Sequence, residues 1–142
     1  LIFRQPSYKR LKAWAEFRNY LETALDPHEA VAQLYSQTPR VKVYSDPYDQ
    51  TTWPSPWELI EENEYCPINQ LLGVAYSLGL TERFKDWQPK ITIELDKKDK
   101  CVYYLLYHDD KVYGFEDDRW IPAKNLPKSL TTKKIYTLDS LY

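Results

Sequence analysis

The chain has 142 residues, 43% of them hydrophobic and 28% charged, with a formal net charge of −2 at pH 7. That is the composition of one soluble globular domain over residues 1–142, and basic residues interleaved with acids argue against nucleic acid as the main partner. No apolar run approaches the ~20 residues of a bilayer span, no signal peptide is visible, and two cysteines 35 positions apart make neither a disulfide framework nor a zinc cluster, so a reducing, cytoplasmic setting is expected.

Residues 8–25 repeat apolar side chains at helical spacing: Leu11, Trp14, Phe17, Leu21 and Leu25. Asp26-Pro27-His28-Glu29 opens a second helix with a cap, a first-turn proline and a capping-box glutamate. That helix ends before Pro39, and Val41, Val43 and Tyr44 predict a short extended piece. His28 reads as a helix-surface residue. After a polar loop over 45–54, Ser55-Pro56-Trp57-Glu58 repeats the same opening for a third, short helix ending near Asn63. A fourth helix runs from Cys66 or Pro67 to Gly79, a natural C-terminal cap residue.

From Lys90 the period changes to two. Ile91, Ile93 and Leu95 alternate with polar residues, and 97–100 is a turn. Cys101 to Tyr107 is a continuous apolar strand, expected to be central and covered on both faces. His108-Asp109-Asp110-Lys111 is the next turn, Val112 to Phe115 pairs back as a hairpin ended by Trp120 and Ile121, and Ile135 to Leu138 is a last strand. Helices first and an antiparallel sheet second make an α+β fold, with N-terminal helices packed on a C-terminal sheet.

Cys66 is the residue on which function turns. A cysteine at a helix N-terminus is where a protein places a nucleophilic thiolate, because the helix dipole and free N–H groups favour the anion. The plainer alternative is a buried, inert cysteine. The rest of the chain offers no His/Cys cluster and no Asp-rich loop of calcium spacing, so neither metal nor cofactor is expected. Aromatics at 15%, mostly tyrosine, favour a surface that binds protein.

The order of these elements resembles the transglutaminase-like branch of the papain-like cysteine hydrolase fold. The likeness covers roughly residues 26–122, with 1–25 as an N-terminal helical extension. It rests on the capped helix and extended piece over 26–44, the Trp53 to Glu58 lead-in, the cysteine helix ending in Leu78-Gly79, and the aromatic hairpin Cys101 to Asp117. The resemblance implies that Cys66 stands at the nucleophile position and Asp117, or Asp118, at the orienting carboxylate. The family's histidine position, at the start of the first hairpin strand, falls on Cys101. The residue after the cysteine is Pro67, which has no N–H to donate. Trp53, Trp57, Tyr65 and Trp120 are the aromatics expected in the cleft wall.

A Cys-His-Asp site needs the imidazole to take the thiol proton and return it to the leaving group. The first reading is therefore a catalytically degenerate domain, a pseudoenzyme acting as a structural or protein-binding module. The resemblance extends to small proteins of tailed phages, which implies a phage or virion context. The competing reading is an active cysteine hydrolase or acyltransferase with His108 as base. It requires another register, in which His108 begins a strand through Gly114. A third reading is a redox module in which Cys101 faces Cys66 across the vestigial site.

Overall fold

The computed structural model describes residues 1–138; the last four positions of the predicted domain, 139–142, lie outside the described residues. Four α-helices form one layer: α1 (Ser7–Leu21), α2 (Pro27–Tyr35), α3 (Pro56–Glu62) and α4 (Pro67–Gly79). Five strands form the other: β1 (Lys90–Asp96), β2 (Cys101–His108), β3 (Lys111–Tyr113), β4 (Trp120–Pro122) and β5 (Leu130–Thr137). The sheet is antiparallel throughout, in the order β4-β3-β2-β1-β5.

The helix starts follow their local chemistry. Ser55 Oγ accepts from the Glu58 N–H at 3.3 Å while the Glu58 carboxylate accepts from the Ser55 N–H at 2.9 Å, a complete capping box on α3. At α2 only half of that motif forms. Asp26 accepts from the Glu29 N–H, but the Glu29 carboxylate turns outward to Gln33 at 3.2 Å. α4 is buried along nearly its whole length, from Ile68 to Leu78, as befits a helix between two other layers of side chains. Ser77 is satisfied inside: its Oγ accepts from Trp14 Nε1 and bonds the Tyr35 hydroxyl, each at 2.9 Å. Gly73 lets this packing close, because a Cβ there would collide with the Tyr35 ring.

α1 packs on both α3 and α4, so the first 25 residues belong to the same helical layer as the remainder. The sheet also continues beyond residue 122 through β5, which pairs with β1 from Leu130 to Thr137 apart from Lys133 at a register shift. Ile91 and Leu106 bring the inner sheet face into the core shared with Leu71, Leu72, Ala75 and Val31.

Several sequence expectations are corrected. Val41 to Tyr44 forms no strand. The chain there makes one parallel bridge, Arg40 with Tyr65, through Val41 N–H to the Tyr65 carbonyl and Tyr65 N–H to the Pro39 carbonyl, both 3.2 Å. α4 runs through Gly79 and caps at Leu80. β2 extends one residue further than expected, so His108 is a strand residue paired with Lys111, and the turn is Asp109-Asp110 with Asp109 at φ 53°. The alternative register, with a strand beginning at His108, is not adopted. Phe115 lies beyond β3, and β5 starts five residues before the expected Ile135.

Candidate functional site

Cys66 is the N-cap of α4, in extended backbone, and is buried. Its side chain makes no capping hydrogen bond, and the thiol lies 4.0 Å from the Ser45 carbonyl oxygen. Proline at the first helical position removes the N–H nearest the sulfur. The small, partly open pocket around it, about 150 Å³, is walled by Lys42, Val43, Ser45, Ile68 and Tyr104.

Tyr104 is the side chain that β2 presents to this cavity. Strand residues alternate between faces. Leu106 enters the core under α4, so Tyr104 and Val102 share that inner face. Cys101, Tyr103 and Leu105 point the other way, and the register sets them opposite Asp96, Glu94 and Thr92. The structure therefore does not bring Cys101 to Cys66. Cys101 is exposed, near the Asp99 carbonyl, and both cysteines are free thiols. The position facing Cys66 holds a phenol instead. Burial, with Tyr48, Cys66 and Asp46 close by, pushes the Tyr104 phenol further up, so it stays protonated and cannot serve as a base at neutral pH.

Beside the cysteine, and sharing Pro67 and Tyr104 with its cavity, lies a larger cleft of about 440 Å³. Its walls include Arg40, Tyr65, Gln70, Tyr113, Asp117 and Asp118. Asp118 pairs with Arg40 at 2.8 Å and accepts from the Tyr113 hydroxyl at 3.4 Å. Gln70 links Tyr113 to the Tyr35 carbonyl and Thr38. Asp117 is in the left-handed region at φ 53°. The carboxylates are thus at the cleft, but with an arginine and a tyrosine as partners and no imidazole between them and Cys66.

Both histidines sit elsewhere, against each other. His28 Nε2 and His108 Nδ1 are 2.6 Å apart, one donating and the other accepting. His108 stacks on Trp87 at 4.3 Å, and His28 meets Trp120 edge-on at 4.8 Å, with Phe84 against both. His28 is therefore buried, not a helix-surface residue. Along β2, His108 is four residues beyond Tyr104, about 13 Å at ~3.3 Å per residue.

This pair makes stability depend on acid. Burial first, then His108, Lys111 and Arg83, lower the His28 pKa to about 4 against the opposing pull of Asp26. His108 is lowered by burial and Lys111, against Asp109. A histidine with a depressed folded pKa takes up its proton more readily when unfolded, so stability is lost as pH falls from the unfolded value of 6.5 towards 4. Chemical denaturation across that window should show stability falling as the pH is lowered, and His28→Gln should flatten that slope.

Of the expected cleft aromatics, only Tyr65 lines the cleft. Trp53 packs on Tyr136 at 4.7 Å, Trp57 on Trp14 at 6.1 Å, and Trp120 on His28 and Tyr113. The sequence reading does not foresee Tyr104, Arg40 or the contact between His28 and His108. The inner parity of β2 is the signal that leads to Tyr104. Among the described residues, no three His, Cys, Asp or Glu side chains gather where they could hold a metal ion, and no helix is long and apolar enough to cross a membrane.

Helices packed on a five-stranded antiparallel sheet, with a cysteine capping the buried helix, define a transglutaminase-like α+β fold. Solved structures it is similar to include those of LapG from Legionella pneumophila. Calcium-bound LapG aligns with a TM-score of 0.70 at 18% identity over 94% of this chain and 77% of that one. A second LapG structure aligns at 0.57 and 18% identity, and the EGTA-treated form at 0.55 and 17%, each over 89% of this chain and 71% of that one. No protein-family model and no curated protein sequence matches the chain. Identity this low speaks for the fold alone.

Proposed function

We propose that residues 1–142 act as one catalytically silent transglutaminase-like domain, a pseudoenzyme whose work is structural or protein-binding. One observation carries this reading: the side chain facing Cys66 from β2 is the protonated phenol of Tyr104, while both imidazoles are spent on each other. Loss of the general base removes roughly 10²–10⁴-fold in rate. Pro67 also takes away a donor that an oxyanion would need. Cys66 in this account is the retained capping residue of α4, Asp117 and Asp118 are retained cleft carboxylates, and no cofactor is used. The partner is a protein, and neither nucleic acid nor membrane is expected. A cytoplasmic setting is supported by the sparse cysteines, and a virion one in a phage by the sequence resemblance.

The test is turnover of a small activated acyl ester by the wild type and by Cys66→Ala. The two rates should agree within about twofold. A wild-type rate exceeding the variant's by the roughly 10²-fold or more that an activated thiol supplies would establish the active hydrolase instead.

A further inference from the structure

β5 is an edge strand with an unusual combination of features. It pairs with β1 on one side. Among the described residues, no other backbone group hydrogen-bonds to residues 131–137. Thr132, Lys133, Lys134 and Ile135 are all exposed, Ile135 to 61%. An open edge of this length is a row of unpaired N–H and C=O groups ready to receive another strand.

Its charge decides what can pair there. Between Arg119 and Leu138 the chain has five basic residues and no acidic one. Lys128 stands just before the strand and Lys133 and Lys134 within it. A register shift between Ile93 and Glu94 leaves Lys133 without a partner on β1. Bulges and lysines on an edge oppose pairing with a second copy of the same strand, because like charges then meet across the ladder. The lysines do not oppose an acidic strand. The acidic side chains of β1 do not neutralise the lysines from behind: Glu94 is buried and engaged by Thr92 and Tyr107, and Asp96 is buried and accepts from the Lys98 N–H. Asp46 and Asp49 lie towards the far end, near Tyr136.

We propose that the free edge of β5 takes an extended, acidic segment of a partner protein as a sixth strand. Backbone hydrogen bonds supply the affinity, and Lys128, Lys133 and Lys134 select the charge. This rests on the protein-binding reading above and names its surface.

The test uses the full chain and a short peptide alternating valine with glutamate. Binding is followed by anisotropy, and backbone amides by NMR exchange. The acidic peptide should bind, slow the exchange of β5 amides, and lose at least about fivefold in affinity to Lys133→Glu/Lys134→Glu. A matched peptide alternating valine with lysine should not bind the wild type. No binding, protection confined to the cleft around Arg40, unchanged affinity in the double variant, or self-association through β5 would each overturn the proposal. Any of these leaves the Cys66-dependent turnover test unaffected, so the two ideas fail separately.

Discussion

Gly114→Ala is expected to destabilise the protein by about 3–5 kcal/mol, among the largest effects of any single methyl group in this chain. Gly114 has φ 108°, a conformation that side chains rarely adopt. A Cβ built there would collide with the Tyr104 carbonyl oxygen, which is backbone and cannot swing aside, and would press on Leu71 at 3.1 Å. The position joins fold to site: Gly114 lines the cleft, and Tyr104 faces Cys66. Relief would require β3 to move from β2, opening the cleft between Tyr113 and Tyr104. Denaturant titration should give the loss in stability. A variant within 1 kcal/mol of wild type would show that the close approach of these two strands is not as described.

Arg10→Ala is expected to cost about 2–4 kcal/mol. Arg10 is a buried cation each of whose three guanidinium nitrogens donates to a carbonyl: Nε to Ile60 at 2.9 Å, Nη1 to Gln5 at 2.6 Å and Nη2 to Glu61 at 2.8 Å. Ile60 and Glu61 belong to the last turn of α3, where carbonyls have no intrahelical partner and a cation opposes the helix dipole. The side chain thereby ties α1 to the C-terminal end of α3 and to the segment before α1. Truncation leaves these acceptors to water or to nothing. Arg10→Lys should recover less than half of the loss, because an ammonium lacks the planar fork that spans three carbonyls. Thermal melting of the three proteins checks this, with Arg10→Ala lower by roughly 10 °C.

The parts of the fold that were legible in the sequence are those governed by local chemistry. Ser55-Pro56-Trp57-Glu58 announced α3 because its cap, proline and glutamate each satisfy the helix start independently of the surroundings. The alternation Ile91, Ile93 announced β1 because only one of its faces packs on the helices. β2 was found but not its orientation. A strand apolar on both faces carries no period-two signal, so Cys101 and Tyr104 could not be assigned to their sides from pattern. β5 was shortened to its apolar end because Lys133 and Lys134, at the register shift, break the alternation. The His28–His108 contact joins residues 80 positions apart through tertiary packing, and neither residue's neighbours in the chain foretell it. The candidate site was thus half legible. Cys66 at the start of α4 follows from helix signals, and Asp117 and Asp118 at the cleft follow from the family resemblance. What faces the cysteine follows only from the register of β2.

Under the proposed function, Cys66 holds the N-cap position of α4 with no base to activate its thiol. Alkylation of the native protein by iodoacetamide at neutral pH, read residue by residue by mass spectrometry, tests it most directly. Cys101 is exposed and Cys66 is buried with no imidazole beside it. Cys101 should be modified first, and Cys66 only as the protein unfolds. Rapid, selective modification of Cys66 ahead of Cys101 would mean an activated, accessible nucleophile and would contradict the account.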